Sequence, residues 1–421
     1  MKTRAHPHPT LAALFGALDD DRLVWCLLRG EADLAAPQGD VDLLVAPADL
    51  PRLGRLAAEH GFASVPAWGY GSHAFFVGYD APRDLWIKLD VVTELAFGRN
   101  YALATGAEAD CLARRKRVDG LPVLSDDDAF WTLLLHRLLD KGDVGARDAA
   151  RLPVLAEGAR TDSALARTVD SLCPPGWSAR SIVAAASHGE WASLATLGDP
   201  LAVAWRRRGR AAVRRRTAAN SVRRWAGKVL RLTRRRGLRV AVLAPDGAGK
   251  STLAKGVEKG FYFPVRSISM GLYQVPRPRG RHHLPGLGLI SQLARQWRGW
   301  LQGAYHQRRG RLVLFDRYPY DALLPTRFRY RRLARARRWL LAHACPAPEL
   351  VVLLDAPGEV LYERKGEKTP ELLERQRRAY RALLSRLPRA VIVDASREVE
   401  DVRPEVTAIV WREYVRRWSK R

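Results

Sequence analysis

Short apolar runs separated by polar breaks mark the first third of the chain. Residues 23–28 (LVWCLL) read as a buried strand, and residues 41–45 (VDLLV), preceded by Gly39, read as a second. A helix is predicted around residues 50–60, ending at Gly61, and further strands at 73–79 (HAFFVGY) and 85–92 (LWIKLDVV). Short strands mixed with one or two helices predict a small α/β or α+β domain over residues 1–122. Ser125 then stands before three acids, Asp126, Asp127 and Asp128, a helix start with a capping hydroxyl and carboxylates at the positive end of the dipole. Ala- and Leu-rich segments follow, so residues 123–205 read as a helical module.

The pattern changes at Arg239. RVAVLA (239–244), RSIS (266–269), RLVLF (311–315), LVVLL (350–354) and AVIV (390–393) are strand candidates separated by helical segments. That alternation predicts a parallel sheet over residues 239–421. Within it, Ile290, Leu293, Trp297, Leu301 and Ala304 recur at helical spacing and are expected in the core. Gln292, Arg295 and Arg298 lie off that stripe, available to a ligand.

Composition adds a boundary. Residues 1–200 hold 20 Lys/Arg against 27 Asp/Glu, and residues 201–421 hold 51 against 17. The acidic half and the basic half are thus expected to be different domains with different partners. Between them, residues 206–239 contain 15 Arg/Lys and no acid, with Val213, Val222, Trp225, Val229, Leu230 and Leu232 spaced as on a helix. Residues 206–238 therefore read as a basic linker helix, attractive to nucleic acid or to an anionic membrane surface. The alternative is a solvated helix that packs Trp225 and Leu230 on its own protein and binds the acidic half. No run approaches 18 apolar residues, so no transmembrane segment is expected. The N-terminus does not read as a signal peptide, and Cys26, Cys111, Cys173 and Cys345 show no paired spacing. A reduced, cytoplasmic protein is the expectation, with oligomeric state left open.

The sharpest motif is Ala244-Pro245-Asp246-Gly247-Ala248-Gly249-Lys250-Ser251-Thr252, between a strand and a helix. Gly247 and Gly249 let backbone N–H groups converge on phosphate oxygens, and the helix N-terminus adds its dipole. Lys250 can reach the β- and γ-phosphates of ATP, and the Ser251 hydroxyl can ligate Mg²⁺. Ala244 stands where the usual pattern has its first glycine. A second element is Asp316-Arg317-Tyr318, closing a strand at the same sheet edge, where Asp316 can serve the magnesium shell and Arg317 can face an acceptor phosphate. A third is Tyr362-Glu363-Arg364-Lys365-Gly366-Glu367-Lys368, cations around a glycine, suited to a lid over the transferring group.

On these residues, with LVVLLDAPGEVLYERKGE and VIVDAS (391–396), residues 238–415 resemble the thymidylate kinase-like group of nucleoside monophosphate kinases. The resemblance implies a five-stranded parallel sheet, Mg-ATP as donor, Arg364 on the transferring phosphoryl group, Arg317 on the acceptor phosphate, and the segment after VIVDAS near the ATP base. The acceptor loop departs from the group's Thr-Arg-Glu-Pro-Gly-Gly-like pattern. Here it reads SISMGLYQVPRPRGRHHLPGLG (267–288), with Arg277, Arg279, Arg281, His282 and His283 among prolines. An acceptor more anionic than thymidine monophosphate is expected.

In the N-terminal domain, Gly39-Asp40-Val41-Asp42 puts two carboxylates on one strand face, and Asp90 can join them from another strand. Asp40, Asp42 and Asp90 are candidate Mg²⁺ ligands for attack on a nucleotide α-phosphate. Residues 10–140 resemble the nucleotidyltransferase superfamily, with Leu28-Arg29-Gly30-Glu31 where that superfamily usually carries a Gly-Ser or Gly-Gly pair. His136 and Asp140, four apart on one helix, are a further candidate pair.

The expectation is a P-loop kinase that transfers phosphoryl from Mg-ATP to a small phosphorylated or anionic acceptor, through Lys250, Asp316, Arg317, Arg364 and Lys365. Its rivals are a metal-dependent nucleotidyltransferase with a regulatory P-loop domain, and an ATP-switched adaptor that binds nucleic acid or anionic surfaces.

Overall fold

A computed structural model describes residues 6–29, 34–65, 71–234, 237–271, 287–324, 332–387 and 389–418. Two compact units emerge, one of Met1–Asp80 with Leu85–Val229, the other of Ala81–Asp84 with Leu230–Arg421.

The first unit is built on a seven-stranded sheet. Its strands are β1 (Trp25–Arg29), β2 (Asp40–Val45), β3 (Ala63–Ser64), β4 (His73–Asp80), β5 (Leu85–Val92), β8 (Lys116–Val118) and β9 (Leu121–Val123), while β6 (Ala96–Phe97) and β7 (Leu103–Ala104) form a separate ribbon. The order is β3-β4-β5-β2-β1-β9-β8. Strands β2 and β5, and β1 and β9, run parallel, and the other neighbours antiparallel. Strand β1 is apolar at successive positions because it is buried on both faces. Trp25 and Leu27 join a core with α1 (Pro9–Asp20) and α2 (Leu50–Glu59). Cys26 and Leu28 join a second core on the other face.

That second core holds the helices: α3 (Glu108–Ala113), α4 (Asp126–His136), α5 (Ala146–Ala156), α6 (Ala164–Asp170), α7 (Ala179–Ser187), α8 (Trp191–Ala195) and α9 (Gly198–Arg208). The Ser125 hydroxyl accepts from the Asp128 N–H, capping α4, and the helix runs on into a π-turn over Arg137–Lys141. The helical residues of 123–205 thus share one core with Cys26, Leu44 and Val92 of the sheet. The basic segment forms α10 (Arg210–Arg234). Trp225 on it is 69% exposed, so the expectation that it packs on its own protein does not hold.

The second unit alternates strand and helix: β10 (Leu238–Leu243), α11 (Lys250–Gly260), β11 (Val265–Ser269), α12 (Leu287–Arg308), β12 (Leu312–Asp316), α13 (Arg332–His343), β13 (Leu350–Asp355), α14 (Gly358–Lys365), α15 (Pro370–Leu384), β14 (Ala390–Asp394) and α16 (Val399–Arg416). Its five strands are all parallel, in the order β11-β12-β10-β13-β14. The C-terminal strand ends therefore share one edge, where open α/β sheets bind ligands.

One sequence expectation is corrected in α12. Ile290 is 62% exposed, Trp297 42% and Leu301 56%, so these three members of the predicted core stripe face outward, while Leu293 packs against Leu341 and Ala342 and Ala304 is half-buried. The sheet side is formed by Gln296, Gly299 and Gly303, all buried. A Cβ on Gly303 would lie 2.6 Å from Phe315 of β12. The close approach at Gly303 leaves no room there for a larger residue, while Trp300 packs on the sheet core beside it.

Candidate functional site

Strand β10 ends at Leu243, and the chain turns through Ala244–Gly249 into α11. Gly247 has φ +92° and Gly249 φ +77°. A Cβ at Gly247 would lie 2.5 Å from the Leu361 carbonyl oxygen of α14, so glycine is required there for space as well as conformation. Ala244 is buried and is not among the positive-φ residues, so a Cβ is accommodated where the usual pattern has glycine.

Lys250 opens α11 and is buried, its ammonium donating to the carbonyls of Ala244 (2.9 Å) and Pro245 (2.7 Å). Burial, and then the neighbouring Arg317 cation, lower its pKa from 10.5 to about 8. Ser251 is exposed on the first turn beside it, followed by Thr252.

Two cations converge on Asp246. Arg317 donates to one carboxylate oxygen and Lys368 to the other, each at 2.6 Å. Burial raises the Asp246 carboxyl, but these hydrogen bonds outweigh it and hold it well below the usual carboxylate range. Arg317 sits at φ +67°, a left-handed conformation uncommon for a side-chain-bearing residue, immediately after β12. Asp321, whose carboxyl burial pushes up, accepts from the Tyr380 hydroxyl at 3.0 Å and lies 3.8 Å from Arg317. Asp316 closes β12 in register with Val242 of β10. Its Oδ1 is buried without a hydrogen-bond partner. An orphaned carboxylate oxygen on the strand beside the loop, with the Ser251 hydroxyl, fits the donor set of a hard cation such as Mg²⁺.

The lid residues distribute differently from expectation. Arg364 donates to the carbonyls of Ala395 (2.6 Å), Ser396 (2.9 Å) and Arg397 (3.0 Å), bracing the turn after β14 instead of facing the loop. Lys365 pairs with Glu367 at 3.0 Å, both half-exposed. The lid cation that the structure brings to the loop is Lys368, the last residue of the charged run. Its partner is 122 positions away in sequence, a separation that no local pattern reveals.

At the C-terminal end of β11 a small cavity is lined by Ser269, Met270, Gly271, Gln292, Arg295 and Gln296. Gln296 is 4% exposed, and neither side-chain amide atom has a partner. Gln292, expected to be available, accepts from Arg337 at 3.1 Å, while Arg295 and Arg298 are exposed. Arg277, Arg279, Arg281, His282 and His283 lie outside the described residues, as do Gly30 and Glu31.

In the first unit, Asp40, Asp42 and Asp90 line a cavity of about 910 Å³ together with His73, His136 and Asp140. The parallel register sets Asp42 opposite Asp90. Each carboxylate is already taken: Asp40 by Lys88 (2.6 Å), Asp42 by Arg29 (2.9 Å) and Asp90 by His73 (2.8 Å). Burial raises the Asp42 carboxyl, Arg29 opposes that, and Asp90 and Asp40 add to it. His136 holds Asp140 at 2.8 Å, and Asp140 also accepts from the Gly98 N–H at 2.6 Å. Among the described residues no group of three His, Cys, Asp or Glu is placed to hold a metal ion. The three candidate carboxylates thus line one cavity, each hydrogen-bonded to a neighbouring basic side chain.

No family model matches the chain. It is similar to the "Probable thymidylate kinase" of Thermococcus gammatolerans, 28% identical over 208 residues that cover 42% of this chain and 97% of that protein. It is also similar to the "Probable thymidylate kinase" of Thermococcus onnurineus, 32% identical over 118 residues, or 26% of this chain. Of the latter's length the chain spans 56%. A solved thymidylate kinase from Candida albicans is 19% identical, with 42% of this chain and 94% of that one covered and a TM-score of 0.34. The sequence relatives support a thymidylate kinase-like domain in this chain. The nucleotidyltransferase resemblance finds no counterpart among these matches. No helix of the described residues is long and apolar enough to cross a membrane.

Proposed function

We propose that the C-terminal unit transfers the terminal phosphoryl group of ATP to a small phosphorylated or anionic acceptor. The observation that carries this reading is the loop itself. Gly247 is pinned against α14, Lys250 is buried at the helix start, and an unpartnered Asp316 oxygen waits on the adjacent strand. Phosphoryl transfer is catalysed by positioning and charge, and these groups supply both. The loop N–H groups cradle phosphate oxygens, and Lys250 exchanges its two carbonyls for the β- and γ-phosphates. Ser251 and Asp316 would hold Mg²⁺, which neutralises phosphate charge when bound. Arg317 and Lys368, held ready on Asp246, face the acceptor side. Arg364 serves the transferring group only by giving up the 395–397 carbonyls, and Lys365 stays peripheral.

The acceptor reading rests on the acceptor-loop sequence. Five cations or histidines in 277–283 stand where the related group carries a Thr-Arg-Glu-Pro-Gly-Gly-like loop, and Gln296 offers an unpaired amide at the end of β11. That combination suits an acceptor with more negative charge than one phosphate, such as a nucleotide sugar or a phosphorylated glycan precursor. A panel of acceptors assayed for ATP-dependent phosphorylation tests this. Thymidine monophosphate is expected to be the poor member, and its turnover with kcat/KM of about 10⁴ M⁻¹s⁻¹ or more would contradict the acceptor assignment.

For the N-terminal unit, the Asp42–Asp90 register inside a large cavity is the observation that favours nucleotidyl transfer. The pairing of Asp40 with Lys88, Asp42 with Arg29 and Asp90 with His73 argues against it. We therefore assign the chemistry to the C-terminal unit.

A further inference from the structure

Helix α10 is held by one face. Val213 packs against the helical core, and Arg216 pairs with Glu94. Asn220 is 3% exposed and donates to the Asn100 carbonyl at 2.8 Å, while the Asn100 amide donates to Ser221 at 3.0 Å. Positions 213, 216, 217 and 220 recur at helical spacing and define the inner side.

The opposite side carries Val222, Trp225 and Val229, spaced i, i+3, i+7, and exposed by 65%, 69% and 46%. Arg214 and Lys228, both exposed, lie beside that stripe. Between Asp199 and Asp246 the sequence has no carboxylate at all, so the helix carries no counter-charge of its own. A helix surface meant only for water would place polar side chains where this one has tryptophan and two valines.

Two chemistries must be satisfied together. The apolar stripe gains by leaving water, and the cations gain by meeting anions. Nucleic acid phosphates would serve the cations but leave Val222 and Val229 wet. An anionic lipid interface serves both, with apolar side chains at the acyl boundary, an indole at the headgroup level and Arg/Lys on lipid phosphates. We propose that the outer face of α10 lies on an anionic lipid surface and adsorbs the protein there without spanning it.

The test is co-sedimentation of the full chain with vesicles of phosphatidylcholine alone, or of phosphatidylcholine mixed with phosphatidylglycerol, at low ionic strength. Pelleting with the mixed vesicles only is expected. The variant R214Q/K228Q should bind them roughly thirtyfold more weakly, from about a fivefold loss per cation. V222S/W225S/V229S should lose at least about tenfold through its apolar face alone. Both should keep wild-type ADP formation, which reports an intact fold, and W225S alone substitutes should the triple variant fail that control. Absence of pelleting with mixed vesicles would overturn the proposal. So would unchanged binding of the serine variant, which would mark a bare polyanion site. A self-association in solution that the serine variant abolishes would overturn it too, by showing that a second copy covers the stripe.

Discussion

Lys250 ties structure to a measurable titration. Its pKa of about 8 in the folded chain lies below the ordinary 10.5, because burial disfavours the ammonium. The unfolded chain thus holds this proton more tightly between those two values. Stability gained from this residue rises as pH climbs from about 8 toward 10.5, and the buried cation is a cost below that window. Nucleotide binding has the opposite sign. A triphosphate favours the ammonium, so ATP binding above pH 8 should take up a proton, and affinity should fall as pH rises through about 8. Calorimetry in buffers of different ionisation enthalpy reads that uptake directly. Lys250→Arg, permanently charged, should show neither the uptake nor the fall. The residues of this loop were legible because Gly247, Gly249 and Lys250 act through local backbone geometry. Lys368 was legible only as one cation of the lid run and Asp321 not at all, since they reach Asp246 and Arg317 from other elements through contacts that only the tertiary fold creates.

At the scale of elements, β1, β2, β4, β5 and the five strands of the second unit stand where the sequence predicted them, while the short strands β3, β6, β7, β8 and β9, with two or three residues each, gave no such signal. Helix α12 shows the opposite case. Its apolar periodicity is real, yet Ile290, Trp297 and Leu301 face outward, and Gly299 and Gly303 approach the sheet. Periodicity reports an amphipathic helix but not which side is packed when the contact is made by glycines. Two substitutions distinguish these sides. Gly303→Leu should destabilise the C-terminal unit by about 3 kcal/mol or more, since even its Cβ meets Phe315 at 2.6 Å. Leu301→Ser, on the 56% exposed side, should change stability by no more than about 0.5 kcal/mol. Urea midpoints for the two variants check both, and a large loss in Leu301→Ser would mean that the stripe is covered in solution.

For the whole molecule, the chain divides into two units, each with its own sheet and core, but the charge boundary near residue 200 does not coincide with the unit boundary at Val229, because most of the basic helix α10 lies in the first unit. The N-terminal acids were legible as a cluster, but their pairing with Lys88, Arg29 and His73 was not, because cross-strand register decides who neutralises whom. If the chemistry belongs to the C-terminal unit, Asp42→Ala should leave ADP formation within about twofold of wild type. It would free Arg29, the partner it now holds, without touching the phosphate loop. A loss of about a hundredfold or more, the scale of a missing catalytic group, would make the N-terminal cavity part of the reaction.

The most direct test of the account is ADP formation by Lys250→Ala beside wild type, with Mg-ATP and the best acceptor of the panel. Lys250 is buried, and its ammonium is the cation the loop itself supplies to the phosphates, so its removal should cost about 10²–10³ in turnover or more while circular dichroism stays unchanged. Wild-type ADP formation by that variant would contradict phosphoryl transfer at this site.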